Sequence, residues 1–280
     1  MLASEEIAPP RVPQLVLSGG GTPPLELIRR TWQARSLCVI LARKDFYVRY
    51  RRAVFGIAWT VLLPGLQAVV LSVVMSRIAR FGVPHYAVYI FSGTVLWTYL
   101  SSAIGIGGTS IVDNASLSSK SYFPRAVLPL AACISGAYAF LAGLLVLVAV
   151  AAIDGAYPDQ HLLLAIPAVV LMGLFSATLT LVFAALHVYF RDVKYVISAL
   201  MLLWFYVTPL FYPLSRLHGW SHTLVTLNPA TGPILMMHAS ILGGHVPGIS
   251  VVATLVAVVI LGVAALLLHS RLDRNFADLL

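Results

Sequence analysis

Six long runs of this chain carry no Lys, Arg, Asp or Glu in their interiors: about 53–76, 85–108, 126–153, 162–188, 193–212 and 246–269. A membrane-crossing helix needs about 20 mostly apolar residues, and one Arg or Asp at its centre costs about 2.5–3.5 kcal/mol on the insertion scale. Runs of this length without charge therefore read as membrane spans. His187 and Lys194 stand at span ends, where a side chain can snorkel to the interface. The totals agree: 60% of the 280 residues are hydrophobic and only 10% are charged, against about a quarter charged in soluble domains. The predicted fold class is an all-α integral membrane protein with six transmembrane helices.

Lys and Arg set the orientation, because they collect on the cytoplasmic side. With a cytoplasmic N-terminus, nine lie before the first span, and the loops near 109–125 and 189–194 and the C-terminal end add two each. That makes fifteen inside, against Arg77, Arg80 and Arg216 outside. Both termini are predicted to be cytoplasmic, and the formal charge of +8 is a topology signal with no nucleic-acid partner implied. Residues 1–24, rich in Pro and Gly and ending in SGGGTPP, are predicted to be a flexible tail with no signal-peptide pattern.

Charge and hydropathy change abruptly at the first span. Arg43, Lys44, Asp45, Arg49, Arg51 and Arg52 fall within ten positions, and no further charge follows until Arg77. Upstream, Leu25, Ile28, Trp32, Leu37, Ile40 and Leu41 alternate with Arg29, Arg30, Arg35 and Arg43. Residues 25–50 thus suit an amphipathic helix lying in the membrane interface with its bases toward anionic headgroups; a plain topology anchor fits the composition as well. The polar loop SIVDNASLSSKSYFPRAVLP (110–129) has room for one short helix, as a docking element or a connector. In 213–245, Pro213, Asn228-Pro229 and Gly232-Pro233 break any long helix, which favours short re-entrant helices on the outer side. Aromatic residues recur in the spans, notably Trp59, Trp97, Tyr99 and the triplet Trp204-Phe205-Tyr206. Interfacial belts explain some of them, and a pore lined by aromatic rings, whose flat faces suit sugars, is the alternative.

Reaction chemistry is harder to find. No Gly-Lys dipeptide occurs, so a Walker A loop is excluded, and neither HExxH nor GxSxG is present. His218 and His222 have no third ligand nearby, Asp154 and Asp159 lie in a loop, and Cys38 and Cys133 are far apart. No metal site, cofactor or enzyme centre is expected in this chain. The spans also lack the ionisable groups that ion-coupled transporters use, so the energy for any transport must come from elsewhere.

Five stretches, taken in order, resemble the membrane subunit of type-2 ABC transporters, in the polysaccharide-exporting, Wzm-like branch that serves O-antigen, teichoic acid, capsule and mycobacterial galactan. They are RKDFYVRYRRAVFGIAWTVLLPGLQ (43–67), NASLSSKSYFPRAVLPL (114–130), YFRDVKYV (189–196), WFYVTPLFYPL (204–214) and LNPATGPI (227–234). They fall between 43 and 234, and the resemblance as a whole extends over about 25–270. The resemblance implies one transmembrane domain (25–280) in the bacterial inner membrane, working as a homodimer with two copies of a cytoplasmic ABC ATPase that binds the ATP and Mg. It implies that 25–50 rests on that ATPase and that 110–125 is the coupling loop, with Asn114, Lys120, Tyr122, Phe123, Pro124 and Arg125 in it and Arg191 and Asp192 in the second turn.

By the same resemblance, the cargo is a polyprenyl diphosphate-linked polysaccharide. Arg49, Arg51 and Arg52 are candidates for the diphosphate, and Trp59, Trp97, Tyr99, Phe205 and Tyr206 are candidates to line the channel. A drug, antibiotic or lipid exporter of the same superfamily is the alternative. A transferase acting on lipid-linked sugars is disfavoured, because no reactive acid or His cluster lies at the membrane surface.

Overall fold

The computed structural model describes residues 23–51, 55–78, 82–120, 123–157 and 160–272. Residues 1–22 of the expected tail, and Arg52 and Tyr122 among the expected site residues, lie outside the described residues. Among the described residues the chain is all helical, without strands. Five helices are long and apolar enough to cross a membrane: Trp59–Arg77, Tyr86–Gly107, Val127–Ile153, His161–Tyr189 and Gly248–Arg271.

The bundle is organised around α4 (Tyr86–Gly107), which α3 (Trp59–Ile78), α7 (Val127–Ile153) and α8 (Ala165–Tyr189) all contact. Most of α4 is buried within the bundle, whereas most of α3 is not. Its sequence explains this position. Large residues such as Ile90, Leu96 and Leu100 fill the centre, and small ones let neighbours come close. A Cβ on Gly107 would fall 2.3 Å from the Thr180 methyl of α8, so only glycine fits there. The buried Ser92 and Thr94 hydroxyls donate back to the carbonyls of Tyr89 and Ile90, so neither polar group is stranded in the apolar interior.

The outer helices show apolar sides that a water-soluble protein would cover. On α3, Leu63, Leu66, Val69 and Val70 are exposed, and on α12 (Gly248–Leu272) so are Val252, Val256, Val259 and Ile260. Helix ends follow local chemistry. At the end of α7, Gly155 adopts φ +73°, the Ala156 amide reaches back to the Ala151 carbonyl and that of Gly155 to Ala152, a Schellman closure.

Two segments depart from the simplest expectation. The interface segment 25–50 forms two helices, α1 (Pro24–Gln33) and α2 (Arg35–Tyr50), broken at Ala34. The break lets each follow a different neighbour: α1 lies against α12 and α2 against α7. The run 193–212 is helical only as α9 (Val193–Val207), because Thr208 precedes Pro209 and is extended. Beyond it, 213–245 holds two short helices, α10 (Gly219–Leu227) and α11 (Thr231–Leu242), and α11 packs on α4, α8 and α12.

Candidate functional site

Three segments that are distant in sequence meet at one end of the bundle. The loop after α4 forms α5 (Ser110–Asp113) and α6 (Ala115–Lys120), and the turn after α8 contains Arg191 and Asp192. Cys38, Leu41 and Ala42 of α2, Ile111 of α5, Val127 and Leu128 of α7, and Ala184, Ala185 and Val188 of α8 form one buried cluster. Val112, Leu117 and Phe123 pack on it from the loop. The interface helix, the loop and the last turns of α8, which lead into Arg191 and Asp192, are thereby joined by one small hydrophobic core.

The expected loop residues hold this end together. The Asn114 side-chain amide donates to the Ser110 carbonyl at 2.8 Å and closes α5, while its own carbonyl accepts from Leu117 and starts α6. Lys120 is the last residue of α6. Phe123, Pro124 and Arg125 are half-buried, and the carbonyls of Pro124 and Arg125 accept the amides of Val127 and Leu128, capping α7. Arg191 and Asp192 are exposed. Within the cluster, the buried Cys38 thiol donates to the Val127 carbonyl at 3.7 Å, and burial pushes its pKa up to about 11.

The basic end of α2 is elsewhere. The Phe46 ring meets Tyr138 of α7 at 5.4 Å, and Tyr50 shares a crevice with Pro64 of α3, Tyr99 of α4 and Phe140 of α7. The segment therefore climbs from the α5–α6 end along α7. At its top, Arg49 is half-buried and Arg51 exposed, with their guanidinium carbons 6.0 Å from the Tyr50 ring and 5.7 Å from the Tyr47 ring. Among the described residues neither has a carboxylate partner, which leaves both available to an anion.

The five aromatic residues divide by exposure. Trp97 (6% exposed) and Phe205 (8%) lie inside the bundle, 5.8 Å apart edge to face. Trp59 (37%) and Tyr206 (59%) stand on the surface, and the half-buried Tyr99 packs on Phe140 at 5.3 Å. Behind them, a polar hub at Asn228, expected only as a helix break and part of the LNPATGPI stretch, fixes the end of α9. The buried Asn228 carbonyl oxygen accepts the Trp204 indole N–H at 2.9 Å and the Ala230 amide at 3.0 Å, and its amide donates to Thr208 Oγ1 at 3.1 Å. The Asn-Pro pair was the visible signal; the hub itself joins residues 20 and 24 apart.

Residues 36–242 match the family described as ABC-2 type transporter. The chain belongs to the ABC-2 type transporter family. Within that family it is similar to the O-antigen export system permease protein RfbA of Myxococcus xanthus, 31% identical over 259 residues, which cover 91% of this chain and 99% of that relative. It is also similar to the protein of the same name from Klebsiella pneumoniae, 26% identical over 245 residues, which cover 87% of this chain and 95% of the relative. The ABC-2 match takes in α2, the α5–α6 loop, the α8–α9 turn and both short helices, so every segment assembled above lies inside it.

Proposed function

We propose that this chain is the channel-forming permease subunit of an ATP-driven exporter that moves polyprenyl diphosphate-linked polysaccharide out of the cytoplasm across the bacterial inner membrane. The observation that carries this reading is its similarity to O-antigen export permeases over nearly their whole length. Residues 25–280 act as one transmembrane domain behind the 1–24 tail. Two copies pair, and each takes its energy from one copy of a separate cytoplasmic ABC ATPase, which holds the ATP and Mg.

In this reading the chain crosses six times, with both termini cytoplasmic. The crossing beyond the five long helices, fifth in chain order, is α9 continued by 208–212. Irregular backbone is tolerated at membrane depth where protein covers it, and the hydroxyls of Tyr86 and Tyr89 donate to the carbonyls of Phe211 and Tyr212. The α10–α11 pair then dips into the outer leaflet and returns. At the other end the ATPase presses on α1, α2, the loop residues Asn114, Lys120, Tyr122, Phe123, Pro124 and Arg125, and Arg191 and Asp192, and their shared core passes the movement to α7 and α8.

Arg49 and Arg51, with Arg52, receive the diphosphate through charge-assisted hydrogen bonds. Trp59 and Tyr206 meet the glycan where the uncovered faces of α3 and α9 border the dimer seam, while Trp97, Tyr99 and Phe205 support that wall from behind. The test is to deplete the protein in its host and measure polyprenyl-linked sugars. Accumulation of long lipid-linked glycan with loss of the surface polymer is expected; an unchanged pool with an intact envelope would overturn the reading. Replacing Arg51 and Arg52 with Gln should reduce export without reducing membrane insertion, and unaltered export would remove the diphosphate role.

A further inference from the structure

A groove of about 650 Å³ lies beneath α1 and α2, walled by α7, α8 and α12. Its depth comes from small residues: Ala137, Gly173, Ala177, Gly262 and Ala265 line it where larger side chains would close the gap between helices. A Cβ on Gly173 would meet nothing within 4 Å, so no neighbouring helix takes up the space beside it. The lining is carbon almost throughout. Thr31 of α1, Arg35 of α2 and His269 of α12 give it a polar mouth at the end of the bundle that carries α5 and α6.

From Ala126 to Ala137 along α7 the groove runs about 16 Å, at a helix rise of about 1.5 Å per residue. That is about half of the roughly 30 Å hydrocarbon core of a bilayer, the depth of one leaflet. Beside it the walls carry exposed apolar residues, Val170 and Leu174 on α8 and Val259 and Val263 on α12. The mouth is basic. On α1, the first turn of α2 and the end of α12, Arg29, Arg30, Arg35 and Arg271 stand against one acid, Glu26. Glu26 is taken by Arg30 at 2.9 Å and approached by Arg29 at 3.9 Å. Arg35 is exposed and has no carboxylate partner among the described residues. It donates to the Trp32 carbonyl at 3.3 Å and lies 5.5 Å from the Trp32 ring, which leaves most of its N–H donors uncommitted. Trp32 itself is exposed, at the groove's edge, and is of the residue type that settles at a lipid–water boundary.

We propose that this groove holds a resident anionic phospholipid, with one acyl chain between α7, α8 and α12 and its phosphate on Arg35. The binding requires only that the long apolar helices cross a bilayer, and it is separate from the cargo. An acyl chain suits walls that offer carbon and little else, and its span in one leaflet matches the groove. The phosphate receives charge-assisted hydrogen bonds from the guanidinium that no carboxylate engages. An uncharged lipid fills the same space and leaves Arg35 without an anion. A helix of a second copy, about 10–12 Å across with its side chains, covers such a groove without filling it. The bound lipid forms part of the floor on which α1 and α2 rest.

The experiment extracts the full chain in mild detergent and weighs it by native mass spectrometry, before and after incubation with equal parts of phosphatidylglycerol and phosphatidylcholine carrying the same acyl chains. Wild type should retain a bound phosphatidylglycerol and prefer it to phosphatidylcholine. Arg35→Gln should lower that preference roughly tenfold, the effect of losing a hydrogen bond between charged groups, while still binding both lipids. Because Arg35 is exposed, its replacement leaves the fold intact. Gly173→Leu puts a side chain into the groove and should abolish retention of either lipid. Gly105→Leu, outside the groove and in equally open space, should bind as wild type does. Added phosphatidylglycerol should raise the thermal midpoint of wild type and of Gly105→Leu but not that of Gly173→Leu. Equal retention of the two lipids by wild type, an unchanged preference in Arg35→Gln, binding that survives Gly173→Leu, or a bound mass of polyprenyl phosphate would each overturn the inference. So would the absence of any retained lipid, which leaves the groove to a second copy or to residues 1–22.

Discussion

Single side chains decide two properties that can be measured directly. Asn228 satisfies three buried groups from one amide, so Asn228→Ala leaves the Trp204 indole, the Ala230 amide and the Thr208 hydroxyl each short of a partner. At about 1–3 kcal/mol for a stranded buried group, the loss should reach about 3 kcal/mol. A thermal scan of the detergent-solubilised protein should then show the midpoint several degrees lower. Cys38 gives the second. Its thiol, with a pKa raised to about 11 by burial, is protonated at neutral pH, and only the thiolate reacts. Maleimide labelling of the folded chain at Cys38 should therefore be slow at pH 7.5 and rise about tenfold per pH unit up to pH 10, whereas unfolded chain labels at once. Rapid labelling of folded protein at pH 7.5 would show that α2 does not stay packed on α7. Neither property was visible in the sequence. An Asn before a Pro announces a turn but not which indole it holds, and a lone Cys in a basic segment shows nothing of the carbonyl 89 residues away.

At the scale of elements, the legible part was whatever lipid enforces by composition. Exclusion of charge marks a span without any knowledge of its neighbours, and five of the six uncharged runs are helices long enough to cross. The early end of α9 also had a local signal, in Thr208 before Pro209. The break at Ala34 had none, because no Gly or Pro stands there and the cause is the two different helices it bridges. Close helix approach was equally hidden, since a glycine in an apolar run looks like any other until its neighbour is known. Gly107→Leu should force α4 and α8 apart at the Thr180 contact. We expect little or no monodisperse protein after solubilisation, while the same change at Gly105, which has open space around it, leaves the yield near wild type.

For the whole molecule, the strongest sequence signal was the lopsided distribution of Lys and Arg, and its consequence is a sidedness that chemical labelling can read. Trp220 on α10 is 79% exposed, and Arg191 is exposed in the α8–α9 turn at the opposite end. In intact cells a membrane-impermeant maleimide should label Trp220→Cys and not Arg191→Cys, and in inverted vesicles the reverse. Labelling of both positions from one side would break the six-crossing topology. The faces of α3 and α9 that no other helix covers could not be assigned to lipid or to a second copy from composition, because both partners are apolar.

The core shared by α2, α5, α7 and α8 also bears on how such proteins can be recombined. A graft that replaces only 110–125 with the loop of a relative brings in new side chains at Ile111, Val112, Leu117 and Phe123, facing an old set at Cys38, Leu41 and Val188. If that end of the bundle meets an ATPase as proposed above, partner choice is not a cassette that one loop carries. A working hybrid has to exchange α2, the loop and the adjoining ends of α7 and α8 as one inherited unit.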